Sequence, residues 1–353
     1  MAIIGFRYTD FRRPLLGVTN MIQAYAAREP KGKLEPFEYQ SGPLHEEEVD
    51  IKVEYCGICH SDLSMLDNEW GLTQYPFVPG HEVVGTIQDK GTGVTNLSIG
   101  QRVGLGWFSS SCMTCKWCLS GRQNLCPGGR GTIVGRHGGF ADSVRAHRAW
   151  VVPLPDSLDP AKAGPLFCGG ITVFNPIVQC NVKPTDRVAV IGIGGLGHLA
   201  IQFLNAWGCE VTAFSSNPDK NEELTHLGAH HIVNSRDLSA IKSLAGSLDF
   251  ILSTVNVPLD WSAYIEALAP DGHFHLVGAV LQPIPLEAFS LIMSQRSISG
   301  SPLGSPATVA QMLDFVARHN IETITEFYPF EKVNEALDYL RTGKQRYRLV
   351  LHH

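Results

Sequence analysis

Arg187-Val188-Ala189-Val190-Ile191-Gly192-Ile193-Gly194-Gly195-Leu196-Gly197 decides how the 353-residue chain is built. Residues 187–191 form a short, continuous apolar run, as a parallel strand covered on both faces requires. It opens directly into a G-x-G-x-x-G turn. A helical pattern follows over residues 196–207 and a second strand over 210–214. A bare glycine triplet is weak evidence, but strand, glycine turn, helix and strand in this order make a dinucleotide-binding unit. The glycines permit a tight turn and close approach of a pyrophosphate, which the helix N-terminus favours electrostatically. Candidate cofactor contacts are therefore Gly192, Gly194, Gly195, Leu196 and Gly197. Further strands at 249–255 and 273–278, with helices between, extend a parallel sheet, and Val277 joins the candidate contacts.

Past the second strand, a site for NAD would carry a carboxylate for the ribose hydroxyls. This chain has Ser215-Ser216-Asn217-Pro218-Asp219-Lys220. With no acid at the strand tip, nothing repels a 2′-phosphate, and Ser215, Ser216 and Lys220 can bind one, which favours NADP(H). The competing reading is a solvated turn in which Asp219 is a late ribose-binding acid.

Upstream the period changes. From Val49 the apolar residues alternate, with Val49, Ile51, Val53 and Tyr55 on one face and Asp50, Lys52 and Glu54 on the other, which predicts a half-buried strand. It delivers Cys56-Gly57-Ile58-Cys59-His60-Ser61-Asp62 at its end. Short strands separated by glycine continue at 83–87 and 102–106, as in a partly open β-barrel. Between them lies Pro79-Gly80-His81-Glu82, and a helical connection over 161–179 carries Cys168-Gly169-Gly170-Ile171-Thr172.

Two thiols and one imidazole, from Cys59, His81 and Cys168, suit zinc and leave its fourth position open for substrate, the mark of a catalytic site. Cys59 is preferred to Cys56 because polar groups follow it directly. Cys112, Cys115, Cys118 and Cys126 form a C-x2-C-x2-C-x7-C array that can enclose a second zinc with no open position, a structural site. An iron–sulfur cluster is the rival for that array, but its last gap would be three residues, not seven.

Length asks for two cores. A net charge of -6 leaves no basic footprint for nucleic acid or a membrane surface, and no apolar run is long enough to span one. Nine cysteines, an odd number with four of them clustered as for a metal, fit a reducing compartment rather than a disulfide framework, hence the cytoplasm. No internal repeat stands out. Residues 1–20 read as an N-terminal extension, slightly basic but without the amphipathic pattern of a transit peptide.

Taken together, Cys59-His60-Ser61-Asp62, Gly80-His81-Glu82 with Gly85, Gly91 and Val94, the four-cysteine lobe, Cys168 and residues 192–197 resemble the zinc-dependent medium-chain alcohol dehydrogenases. The similarity is greatest to the cinnamyl-alcohol dehydrogenase group of NADPH-dependent aldehyde reductases. It implies an α/β protein in two parts: a GroES-like, partly open β-barrel catalytic domain, discontinuous over 21–165 and 306–353, and a Rossmann doubly wound parallel-sheet domain for NADP over 166–305.

The resemblance further implies a catalytic zinc on Cys59, His81 and Cys168 with Glu82 as an occasional ligand, and Asp62 behind them. Ser61 would exchange the proton with substrate, Thr172 would neighbour the nicotinamide, and Trp70 and Phe108 would line the substrate pocket unless they are plain core aromatics. Where many relatives place a relay histidine, this chain has Leu63-Ser64, so either Ser64 with water or His60 completes the relay. The implied activity is reduction of small aldehydes to primary alcohols with NADPH, in a homodimer joined along a strand at 297–302. A polyol or secondary-alcohol dehydrogenase, or a dinucleotide-binding redox sensor without turnover, are the alternatives.

Overall fold

The computed structural model describes residues 21–353, and the extension read over 1–20 lies outside the described residues. One sheet organises each half.

In the first half the strand Glu48–Ile58 is central. It pairs antiparallel with Val83–Lys90, with Ser143–His147 beside its first half and with Arg348–His352 beside its last residues. Pairing with three partners along 11 residues, with register shifts after Asp50 and after Val53, bends the sheet toward closure. The result is the partly open barrel, whose core holds Val49, Ile51, Val53, Val103, Val144 and Leu349. The alternation puts Asp50 on the solvent face, yet it is only 5% exposed. Its cross-strand partner explains this: Arg145 lies opposite in register and donates to both carboxylate oxygens, at 2.6 and 2.8 Å.

The second half holds six parallel strands in the spatial order His231–Asn234, Glu210–Ser215, Arg187–Ile191, Leu248–Ser253, Leu268–Leu276, Ser297–Gly300. Numbered along the chain this is 3-2-1-4-5-6, the doubly wound order whose switch point lies between Arg187–Ile191 and Leu248–Ser253. Alternate residues serve two cores: Val188, Val190 and Leu252 on one face, Ala189, Ile191 and Ile251 on the other.

The connection read as one helix over 161–179 is broken. A short helix Pro160–Ala163 runs into a 3-10 turn at Gly164–Phe167, and the helix Gly169–Gln179 begins only after Cys168, whose φ and ψ of −124° and −73° lie off the helical values. The break turns Cys168 out of the helical array.

The helix Pro306–His319 has a Ser305 cap that accepts from the Thr308 N–H and a left-handed C-cap at Asn320. Its buried stripe of Val309, Met312, Leu313 and Val316 packs with helices Gly169–Gln179 and Gly197–Trp207, where Phe315 meets Phe174 at 5.5 Å. Residues 306–319, grouped by sequence with the first domain, thus form a seam on the cofactor half. The return to the first sheet is made by Thr325–Pro329 and Arg348–His352.

Candidate active site

The central strand Glu48–Ile58 ends where the helix His60–Leu66 begins, so Cys59 sits at the helix N-cap with its thiol in the interior. Cys168 comes to it from the break before Gly169–Gln179, and the two sulfurs lie 3.9 Å apart. His81 Nε2 is 3.3 Å from the Cys168 sulfur. One donor atom from each of Cys59, His81, Glu82 and Cys168 falls within 4.8 Å of all the others, and every one of these residues is buried. A tetrahedral zinc with bonds of ~2.3 Å to sulfur and ~2.0 Å to nitrogen separates two sulfurs by about 3.8 Å and sulfur from nitrogen by about 3.5 Å. The four residues fit such an ion.

Asp62 arranges the donors. It is fully buried; Oδ1 lies 3.0 Å from His81 Nδ1 and accepts from the Gly80 N–H at 2.9 Å, while Oδ2 accepts from the Cys59 N–H at 2.9 Å. An imidazole that donates a hydrogen bond from Nδ1 to a carboxylate is held with Nε2 directed at the thiols. Burial works against charge on His81, but the Asp62 charge and hydrogen bond outweigh it and hold its pKa well above the usual value. The hydrogen bond with Cys168 pulls the Cys59 thiol well below the thiol range, and the same contact with burial pushes Cys168 up. Cys56 differs: burial, with Asp62 nearby, keeps its thiol well above the ordinary range, and its sulfur faces the Gly57 carbonyl at 3.7 Å.

Glu82 is fully buried, and burial raises its pKa against the pull of Arg348. Arg348 donates to Glu82 Oε1, while Oε2 has no hydrogen-bond partner. Gly57 makes room for this carboxylate, since a Cβ there would stand 2.0 Å from Oε2. Arg348 also packs on the dinucleotide turn: a Cβ on Gly195 would meet its Cδ at 2.9 Å. One side chain therefore spans from the cluster to the glycine turn. Sequence reading missed it, because Arg348 opens an apolar strand and gives no sign of burial.

The turn itself divides labour among its glycines. Gly192 has φ +88°, and a Cβ there would meet Val255 at 2.5 Å; one on Gly197 would meet the Gly192 carbonyl at 2.2 Å. A Cβ on Gly194 would face open space. That opening, at the start of a helix with no side-chain cap, fits a pyrophosphate. Val277 follows the strand Leu268–Leu276, its N–H donating to the Ser253 carbonyl at 3.0 Å. Thr172 lies one helical turn past Cys168, half-buried.

At the second strand tip Ser215 is buried and bonds within its own turn, donating to the Asn217 carbonyl at 3.2 Å. Ser216 is exposed, and Lys220 is held with its Nζ 5.1 Å from the Tyr347 ring centre. Tyr347, another residue not foreseen, donates to Glu223 at 2.9 Å.

Of the aromatics, Trp70 meets Trp107 edge-on at 5.9 Å, and Trp107 meets the His81 ring at 5.0 Å. Phe108 points away, against Trp150 at 5.1 Å. The wall beside His81 is Trp107, one residue before the one singled out. Ser61 is half-buried and His60 exposed, whereas Ser64 is buried.

In the cysteine lobe, Cys112 lies 3.9 Å from Cys118 and 3.4 Å from Cys126, and Cys115 lies 3.8 Å from Cys126, sulfur to sulfur. The Cys112 N–H donates to the Cys126 sulfur at 3.4 Å and the Cys115 N–H to Cys112 at 3.3 Å, so these thiols have amide donors that favour thiolate. All four fit an enclosed tetrahedral ion.

Comparison with known proteins adds three kinds of likeness. Residues 45–156 match the alcohol dehydrogenase GroES-like domain family, and residues 195–318 match the zinc-binding dehydrogenase family. An aldehyde reductase of Synechocystis sp. is 60% identical over 94% of this chain and 99% of its own length. A cinnamyl alcohol dehydrogenase structure from Sorghum bicolor superposes with a TM-score of 0.90 at 37% identity, covering 94% of this chain and 98% of that one. The Helicobacter pylori counterpart, solved with NADP(H), gives 0.87 at 28% identity, over 95% and 99%.

Proposed function

This chain belongs to the zinc-dependent alcohol dehydrogenase family, and we propose that it reduces small aromatic or aliphatic aldehydes to primary alcohols with NADPH at the cluster of Cys59, His81 and Cys168. The observation that carries this reading is the reach of Arg348 from Glu82 to Gly195, which puts the donor cluster and the dinucleotide turn one side chain apart. Aldehyde reduction needs that proximity, because a hydride must reach carbon while the oxygen is held. The names of the Synechocystis and Sorghum relatives, and the NADP(H) of the Helicobacter structure, support the substrate class and the cofactor.

Zinc held by Cys59, His81 and Cys168 supplies Lewis acidity toward a carbonyl oxygen, and NADPH in the cleft supplies the hydride. The chain's own residues do the rest. Asp62 fixes the His81 tautomer, and Trp107 with Trp70 forms an apolar wall that excludes water. Ser61, in the first turn after Cys59, gives its hydroxyl proton to the product oxygen. His60, exposed beside it, returns a proton from solvent, since Ser64 is buried. Gly194 admits the pyrophosphate, Val277 and Thr172 border the nicotinamide, and Ser216 with Lys220 receives the 2′-phosphate. Cys112, Cys115, Cys118 and Cys126 hold a second, structural zinc.

The catalytic domain over 21–165 and 306–353 and the cofactor domain over 166–305 meet along the seam of Pro306–His319. A homodimer forms along Ser297–Gly300, the edge strand of the six-stranded sheet, and the residues that precede it in the chain, Leu281, Phe289, Ile292 and Met293, are exposed. The cytoplasm suits nine free thiols, and no helix among the described residues is long and apolar enough to cross a membrane. Initial-rate reduction of an aldehyde series with NADPH and with NADH tests the reading.

A further inference from the structure

Six of the nine cysteines lie in the two clusters described above. Of the rest, Cys180 holds a distinctive place. It is the C-cap of the helix Gly169–Gln179, whose N-cap is Cys168, so one helix of about 16 Å separates it from the catalytic cluster. Its sulfur lies 3.7 Å from His273 Nε2 and 3.5 Å from His275 Nδ1. The two histidines stand two apart on the strand Leu268–Leu276 and therefore share a face. All three donor atoms fall within 4.8 Å of one another.

The other ring nitrogens are also engaged. His273 Nδ1 lies 2.9 Å from Ser297 Oγ, and His275 Nε2 lies 2.9 Å from Ser301 Oγ. A ligating imidazole is ordinarily held by its outer nitrogen in this way, which turns the inner lone pair toward the cation. A thiol with two imidazoles is a borderline-soft set, and sulfur to nitrogen spacings of 3.5 and 3.7 Å match the ~3.5 Å of a tetrahedral zinc. At the centre stands the Ser299 hydroxyl, 2.5 Å from His273 Nε2 and 2.7 Å from His275 Nδ1. Those distances are too short for a co-ligand of the same ion, so the hydroxyl occupies the space a cation would take.

We propose that Cys180, His273 and His275 form a third metal site, for zinc or a similar divalent transition ion, entered when the Ser299 hydroxyl swings aside. It draws on no residue of the reducing centre. Because the cation binds the folded chain, in which alone these three residues meet, it stabilises that chain.

The test uses the zinc-loaded enzyme, dialysed against micromolar free zinc and counted by elemental analysis, with melting temperatures read alongside. Wild type should hold one zinc per chain more than Cys180→Ser or His275→Gln, and its melting temperature alone should rise with added zinc. Ser299→Ala keeps all three donors and removes the competing hydroxyl, so its affinity for the extra zinc should increase. Equal zinc counts in wild type and Cys180→Ser overturn the proposal. Should Cys180→Ser fail to fold, Ser299→Ala decides: zinc affinity no higher than wild type overturns it.

Discussion

The sulfur of Cys59, at the end of the first half's central strand, lies 3.9 Å from that of Cys168, at the break that opens the second half. The two residues are 109 positions apart, and His81 closes the triangle at 3.3 Å from Cys168. The centre therefore exists only when both halves are folded and docked.

Asp62 orients His81 without being a donor itself. Asp62→Asn keeps the shape but removes the charge that fixes the imidazole. Zinc retention or aldehyde turnover should fall by roughly 10- to 100-fold. Zinc competition with a chelator, run beside the rate assay, reads both, and the four-cysteine lobe should keep its metal in the same titration.

Two glycines of one turn should fail in different ways. Gly194→Ala places a methyl in open space where a pyrophosphate would lie, so folding is kept and NADPH affinity drops by roughly tenfold or more, ~1.4 kcal/mol. Gly197→Ala drives a methyl to 2.2 Å from the Gly192 carbonyl, which overpacks strand against helix and costs about 1–3 kcal/mol of stability. Melting curves together with NADPH titration separate the two.

Lys220 carries the discrimination between cofactors. Losing a hydrogen bond to a charged phosphate costs about 1.5–3 kcal/mol. Lys220→Ala should lower kcat/KM for NADPH by roughly 10- to 100-fold and leave that for NADH nearly unchanged. An equal loss with both cofactors would assign Lys220 to the Tyr347 contact alone.

His198 makes the fold acid-sensitive. It is fully buried, stacked on Tyr347, with Nδ1 3.2 Å from the Gly194 carbonyl. Burial, followed by the Arg348 charge, takes its pKa down to about 3. The unfolded chain binds this proton at about 6.5, so stability is complete above that value and declines as pH falls toward 3. The urea midpoint should drop between about pH 7.5 and about pH 5, and His198→Gln should reduce that drop.

Much of this was legible in the chain because it rests on local pattern. The apolar run 187–191, the glycine turn and the cysteine spacings each encode their structure within a few residues, and Cys59 and Asp62 share one short segment of their own. What stayed hidden depends on distant pairing. Asp50 follows the alternation of a surface residue and is buried only because Arg145 lands opposite it, 95 positions later. Arg348 and Tyr347 reach the site because the last strand pairs with Glu48–Ile58, a register that no local pattern announces. Trp107 rather than Phe108 meets His81 for a similar reason, since the side-chain period of two makes adjacent residues face opposite ways. The helical pattern of 161–179 is legible, but its break at Cys168 is not, because helical propensity does not mark it.

Whether Cys59, His81 and Cys168 form the reducing centre is tested by the rate of aldehyde reduction by enzyme purified without added zinc, with NADPH and with NADH, for wild type and His81→Ala, with zinc counted in each. Two zincs per chain, a preference for NADPH, and loss of turnover and of one zinc in His81→Ala with NADPH binding retained are the predicted results. Turnover that survives in His81→Ala, or that is unaffected when zinc is stripped from the wild type, would contradict the assignment of Cys59, His81 and Cys168 as the reducing centre.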